Sequence, residues 1–253
     1  MHAHAIPDGF EQVNGRQRHA VPRALRFTAT LDRNAPTLLN ATDQTIFFHD
    51  GRAGSIAAVL TSPQEFGSSY AEASACLGGS PEYRRLFRRA FGRWAAIGPT
   101  TLGTALTAYL GTLNHQNSPC DRAQRGGVAL DLVARAGALL FGGALGCARC
   151  HAGPLFRDGQ RHEVRPDFWV KTPGLRNVAL TMPYRAEGRY ANVEAVLASA
   201  YHQGQAPVRA PVDVQRLLAF LATLTDTTGA SRCQPATLPR LPALPDRVSG
   251  GLY

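Results

Sequence analysis

The sequence is poor in lysine and in long apolar segments. Lys171 is the only lysine, so arginine carries almost all of the positive charge behind the net +9 at pH 7. No apolar run reaches the roughly 18 residues of a membrane-spanning helix, so no membrane span is expected. Residues Met1 to Asp8 lack the apolar core of a signal peptide. The aromatic residues are not interleaved with the arginines as in nucleic-acid-binding modules, so no nucleic-acid partner is expected either.

Cysteine is also scarce, and its placement is informative. The chain has five cysteines, an odd number that excludes complete pairing into disulfides. Two of them lie in the pentapeptide Cys147-Ala148-Arg149-Cys150-His151. Thiols at this spacing add to the two vinyl groups of one porphyrin, and the adjacent imidazole can bind the iron. The segment therefore predicts one covalent haem c per chain, tethered by Cys147 and Cys150, with His151 as the proximal ligand.

Two other uses of the pentapeptide fit it less well. A redox-active Cys-x-x-Cys pair does not need the histidine. A structural zinc site needs further cysteines nearby, and the sequence around the pentapeptide has none.

Apolar residues at helical spacing predict several helices, whereas signals for strands are scarce. The apolar stripes lie in residues 83–91, 102–113, 130–141, 192–201 and 212–225. Ser80-Pro81-Glu82 is typical of a helix start, with an N-cap serine, a proline in the first position and an acid in the first turn. Residues 1–39 and 153–174 are predicted to be loops. The expected fold is all-α with long loops, and such loops in a compact chain often enclose a ligand.

Short motifs in both halves of the chain occur in an order known from one family. In the first half, Asp32–Asn40, Phe48–Arg52, Ser62–Gly67 and Asn117–Asp121 resemble RNxPxLxN, FWDGR, PxEMG and NSPFD. In the second half, Lys171–Val178 and Thr181–Tyr184 resemble KTPxLRNV and TAPY. On these segments the chain resembles the bacterial di-haem cytochrome c peroxidase family, which includes methylamine-utilisation-type enzymes that oxidise a partner protein.

The resemblance implies two cytochrome-c-like helical lobes, each normally holding one haem, with calcium between them. We assign residues 1–125 to an N-terminal lobe that lacks its own Cys-x-x-Cys-His, and residues 126–253 to the lobe that carries haem c. The implied protein is a periplasmic haem c oxidoreductase. It reduces hydrogen peroxide, or uses peroxide to oxidise a partner, and exchanges electrons with a small redox protein. A homodimer is left open.

The resemblance also implies roles for residues in the first half. Glu65 matches the acid beside the peroxide-binding haem, where it would act as a general base; the alternative is a solvated loop acid. His49 stands where the family has a tryptophan between the two haems, and the alternative is a structural histidine. Asn34, Thr181 and Pro183 match the calcium position, and the alternative is hydrogen bonding within loops.

The sixth iron ligand is ambiguous in the sequence. The family places a methionine or a tyrosine on the helix after PYxHDG, and strictly matched spacing gives Ala200, which cannot bind iron. Tyr201 and His202 are the two candidates, unless neither binds.

The family's first haem motif has no counterpart here, and Ala186 replaces a histidine of PYxHDG. Either the natural protein has further residues before Met1 that carry this motif, or the first lobe has lost its haem. In the second case the alternative function is a mono-haem electron-transfer or haem-binding protein without peroxidase activity.

Overall fold

The computed structural model describes residues 34–60, 70–199 and 210–228. This part of the chain is mostly helical, as the sequence predicts. The α-helices are α1 (Ile56–Leu60), α2 (Tyr70–Gly79), α3 (Pro81–Phe91), α4 (Pro99–Gly111), α5 (Pro119–Gln124), α6 (Leu132–Gly142), α7 (Val193–Leu197) and α8 (Pro211–Ala222). Short 3-10 helices span Ala41–Asp43, Cys147–Arg149 and Val178–Leu180. No helix within the described ranges is long and apolar enough to cross a membrane.

Helix starts follow the capping residues of the sequence. Ser80 is the N-cap of α3 and Pro81 is its first residue, as predicted. Ser118 and Asp131 cap α5 and α6 with side-chain oxygens that accept backbone N–H hydrogen bonds.

The prediction of a loop over residues 153–174 is wrong in its second half. Strands β1 (Arg161–Arg165) and β2 (Phe168–Lys171) form an antiparallel hairpin in which Arg161 pairs with Lys171. Phe168, Trp169 and Val170 have high strand propensity. Asp167 supplies the turn, because it adopts a positive φ of 59° and its N–H donates to a Glu163 carboxylate oxygen at 2.8 Å.

The larger hydrophobic core lies between α6, α8 and the loops that follow the pentapeptide. Its buried members are Cys120, Phe141, Val178, Leu197, Leu217, Phe220, Leu221 and Leu224. Helices α6 and α8 cross at Gly137, where an added Cβ would lie 1.9 Å from the carbonyl oxygen of Arg216. The glycine therefore permits backbone contact between the two helices.

A second, smaller cluster lies in the first half of the chain. Leu110 and Leu113 are its buried members, and Leu38, Leu39 and Ile56 pack against them. The segment of residues 34–49 connects this cluster to the larger core. It reaches β2 through a hydrogen bond of 2.8 Å from the Lys171 N–H to the His49 carbonyl oxygen.

Candidate haem site

The pentapeptide forms a tight turn immediately after α6. Gly146 enters it with a positive φ of 61°, and an added Cβ there would lie 2.9 Å from the Arg149 guanidinium. The N–H groups of Cys150 and His151 both donate to the Cys147 carbonyl oxygen, at 3.3 and 3.0 Å. This turn places Cys147, Cys150 and His151 on the wall of one cavity.

The cavity has a volume of about 290 Å³ and a mainly apolar wall. Its apolar lining includes Phe141, Leu145, Val170, Leu175, Val178, Leu197, Leu217 and Leu221. Such a concave, apolar site with a few polar groups is typical of a cofactor pocket. Two thiols and an imidazole on its wall are the donor set that haem c requires, so the residues present fit this group.

His151 is held in the form that binds iron. It is 7% exposed, and its Nδ1 lies 3.1 Å from the Phe156 carbonyl oxygen. Burial lowers the pKa of the imidazole, although hydrogen bonds to the Phe156 and Pro173 carbonyls favour the protonated ring. Because a carbonyl only accepts, Nδ1 carries the proton in the neutral ring and the lone pair lies on Nε2.

The loop that carries the Phe156 carbonyl is fixed from outside the cavity by Arg176. The Arg176 Nε donates to the Pro154 carbonyl oxygen at 2.6 Å. Its two terminal nitrogens donate to the Asp121 carboxylate at 2.7 and 2.6 Å. Burial raises the pKa of Asp121, but hydrogen bonds from Arg176 and Ser118 outweigh it and lower the pKa to about 2.

The structure also brings together a trio that the sequence does not reveal. Ligand atoms of Cys150, Asp158 and His162 lie within 4.8 Å of one another, and His162 Nε2 is 2.5 Å from an Asp158 carboxylate oxygen. Three donors, one each of sulfur, nitrogen and oxygen, can bind zinc. Further cysteines are absent near the pentapeptide, but the hairpin returns His162 to it, which sequence spacing alone does not show. A haem thioether at Cys150 would use the sulfur that this trio needs.

Four predicted residues of the family's interlobe region reach the same cavity: Asn34, His49, Thr181 and Pro183 line it. The Asn34 Nδ2 donates to the Pro183 carbonyl oxygen at 2.6 Å, and the His49 Nε2 donates to the Asn34 carbonyl oxygen at 2.8 Å. The Asn34 Oδ1 is buried without a hydrogen-bond partner in the described part of the chain. An amide oxygen left without a partner is an oxygen donor of the kind that calcium binds.

The remaining predicted site residues are not placed. Glu65, Tyr201 and His202 lie outside the described residues. The chain that leads toward Tyr201 leaves from the cavity wall, because Leu197 at the end of α7 lines the cavity. Besides the Cys150–Asp158–His162 trio, sequence reasoning missed the carbonyl of Phe156, the Arg176–Asp121 pair and the cavity position of Lys171. Arg176 and Lys171 lie in the segment that resembles KTPxLRNV, which was the available signal.

Comparison with known proteins gives one consistent result. The family model described as di-haem cytochrome c peroxidase matches residues 2–129. The chain is 31% identical over 248 residues to the methylamine utilization protein MauG of Methylorubrum extorquens, covering 84% of this chain and 68% of that protein. It is 30% identical over 225 residues to the cytochrome c551 peroxidase of Pseudomonas aeruginosa, covering 76% of this chain and 64% of the relative. The chain thus spans about two thirds of the length of these relatives.

Solved structures support the same fold. A MauG-like protein associated with microbial copper homeostasis superposes with a TM-score of 0.71 at 21% identity, covering 82% of this chain and 79% of that one. The diheme peroxidase BthA from Burkholderia thailandensis superposes with a TM-score of 0.69 at 20% identity, covering 87% and 79%. At these identities the likeness concerns the fold alone.

Proposed function

Because this chain belongs to the di-haem cytochrome c peroxidase family, we propose that it is the haem c-bearing part of an oxidoreductase that consumes hydrogen peroxide. The observation that carries the proposal is the common cavity of Cys147, Cys150 and His151. A bound haem c would supply a one-electron iron couple at this site. Electrons would pass between it and a small redox protein, or an oxidisable partner would take that protein's place.

The chain's own residues would hold and tune the iron. Cys147 and Cys150 would tether the porphyrin, and the neutral imidazole of His151 would bind the iron. Tyr201 or His202 is the proposed second protein ligand, because both follow the helix that ends at the cavity wall. Binding by either side chain would close that position to peroxide, whereas binding by neither would leave it open.

Two further residues have proposed roles that need a second haem in the whole protein. Glu65 would act as a general base, moving a proton from one peroxide oxygen to the other. His49 would lie on the path of electrons between the two sites. Its position on the cavity wall, with its ring nitrogen bonded to the Asn34 carbonyl, supports this role.

The proposal extends to the surroundings of the cavity. Asn34, Thr181 and Pro183 would bind calcium between an N-terminal lobe (1–125) and a C-terminal lobe (126–253). The Asn34 Oδ1, buried without a hydrogen-bond partner in the described part of the chain, supports calcium. The periplasm is the proposed location, since c-type haem is attached outside the cytoplasmic membrane. A homodimer is compatible with the family and is tested by light scattering.

The test begins with the stoichiometry of haem. The chain is produced together with c-type haem maturation proteins and analysed by intact mass and pyridine haemochrome. One haem per chain is expected, and none in Cys147→Ser/Cys150→Ser. Cys76→Ser, outside the pentapeptide, is the control that keeps the haem. A product that carries zinc on Cys150, Asp158 and His162 but no haem contradicts the proposal.

The second stage measures peroxide consumption. It uses the full gene product as it occurs in its organism, with a reduced small cytochrome as electron donor. Turnover that disappears in His151→Ala supports the peroxidase assignment. A six-coordinate, peroxide-inert haem in that product overturns it in favour of simple electron transfer.

A further inference from the structure

The only lysine of the chain lies half-buried at the cavity. Lys171, the last residue of β2, lies on the cavity wall together with Gln44. Its Nζ donates to the Gln44 side-chain oxygen and lies 3.5 Å from the Ile46 carbonyl oxygen. Both partners are neutral, and no carboxylate in the described ranges forms an ion pair with this ammonium group. Partial burial of a charge without a counter-ion is unfavourable, so this cation on the cavity wall calls for an anion.

A second cation lies on the same wall. Arg185 lines the cavity, and its Nη2 is buried without a hydrogen-bond partner among the residues described. Its guanidinium carbon is 6.0 Å from the centre of the Tyr190 ring. Glu187 also lines the cavity; its carboxylate lies 3.9 Å from Arg189, and its charge favours the protonated form of Arg185 as well. The wall therefore combines an apolar surface with two cations, of which Lys171 has only neutral hydrogen-bond partners in the described ranges.

Two chemically distinct roles are compatible with the position of Lys171 on the cavity wall. One is a structural link, since Lys171 joins β2 to residues 44–46 through hydrogen bonds that a neutral donor could also make. The other uses the positive charge itself. A haem is an apolar disc with two carboxylate side chains, and an apolar cavity with cations on its wall is complementary to it.

We infer that Lys171 is the counter-cation of a haem propionate, with Arg185 as a second contact for the carboxylates. The inference rests on the proposed haem site and goes beyond the ligands to iron and the thioether tethers. Burial and the nearby charge of Arg157 lower the pKa of Lys171 to about 8 in the protein without haem. A propionate nearby would oppose both effects and keep the lysine charged.

The test uses the fact that Lys171 is the only lysine in the sequence. Labelling with [15N]lysine gives one side-chain amine signal, and its pH titration reads the charge of Lys171 directly. Holoprotein is compared with Cys147→Ser/Cys150→Ser, which lacks covalent haem. We expect the pKa of Lys171 to be higher in the holoprotein by about one unit or more, the effect of an opposite charge within a few ångströms. Equal pKa values in the two forms overturn the inference, including the case in which a carboxylate of the chain itself pairs with Lys171.

Variants provide a second readout on the haem itself. In Lys171→Met we expect the propionate bending band in resonance Raman spectra to shift and the midpoint potential of the haem to fall, because a buried cation favours the reduced, less positive iron. Lys171→Arg keeps the charge and should restore in part both the position of the propionate band and the midpoint potential. Arg161→Met is the matched control, since Arg161 pairs with Lys171 across the hairpin and is exposed.

The outcomes separate this inference from the proposed function. If Lys171→Met and Lys171→Arg destabilise the protein equally and leave the propionate band unchanged, Lys171 is a structural link and the inference is wrong. Attachment of haem with unaltered Lys171 titration refutes only the propionate contact. Failure of the wild-type chain to attach haem refutes the proposed function.

Discussion

The two hydrophobic clusters differ in what they enclose. The larger one packs α6 against α8 and forms much of the wall of the cavity that carries Cys147, Cys150 and His151. The smaller one, around Leu110 and Leu113, fastens residues 38–39 and α1 to α4. It contributes no lining residue, and the first half of the chain reaches the cavity through Asn34–Thr37, Gln44 and His49. The comparison indicates that the candidate haem site is built mainly by the second half, while the first half supplies several polar groups to its lining.

The largest expected effect comes from the buried ion pair beside the pentapeptide. Replacing Asp121 by Ala leaves the Arg176 guanidinium buried without its carboxylate, so we expect a loss of about 3–5 kcal/mol in the free energy of unfolding. Urea unfolding of wild type and variant measures it. Loss of well under 1 kcal/mol would show that the larger cluster does not depend on this pair.

The same pair predicts an acid transition. The pKa of Asp121 is about 2 in the fold, below its ordinary value of 3.8. Its contribution to stability is therefore complete above the ordinary value and is lost as the pH falls from there through about 2. The difference in unfolding free energy between wild type and Asp121→Asn should shrink over this window and be constant near neutral pH.

The next effect concerns the contact between α6 and α8. Gly137→Ala places a Cβ against the Arg216 carbonyl and forces the helices apart, with an expected cost of about 1–3 kcal/mol or more. Gly142→Ala on the same helix is the control, because no atom lies within 4 Å of the added Cβ. Equal thermal midpoints for the two variants would contradict the close packing at Gly137.

A matched pair of truncations tests the comparison of the two clusters directly. Leu217 and Leu110 are 1% and 2% exposed, and each Leu→Ala change should cost about 2–5 kcal/mol. Only Leu217 lines the cavity. We therefore expect Leu217→Ala to alter the haem absorption spectrum and Leu110→Ala to leave it unchanged. Equal spectral changes would mean that the smaller cluster also shapes the site.

The smallest effect is expected on α3. Glu82 and Arg85 form an exposed pair at 2.6 Å, and solvent screens such pairs strongly. Glu82→Gln should leave the urea midpoint and the haem spectrum unchanged within error. A measurable loss of stability would indicate that α3 is covered by another part of the protein.

Much of the helical structure was predictable because its signals are local. Ser80-Pro81-Glu82 begins α3 through capping chemistry contained in a few neighbouring residues. The apolar stripe of residues 212–225 predicts α8, which the structure gives as Pro211–Ala222. The hairpin of β1 and β2 was missed because each strand has few residues and the polar side chains of Arg161, His162 and Glu163 hide the alternation. Its formation depends on the pairing of two segments across a turn.

The sequence by itself predicted the haem tethers and the proximal ligand, since the spacing of Cys147, Cys150 and His151 is a property of five consecutive residues, and it identified the family. The order of the family's motifs along the chain is likewise read from the sequence without coordinates. Tertiary structure decided the hydrogen bond that sets the His151 tautomer, the Arg176–Asp121 pair that holds its loop, and the position of Lys171 on the cavity wall. These features join residues far apart in the chain. They exist because packing brings the segments together and excludes water, which makes each buried charge depend on the partner it finds.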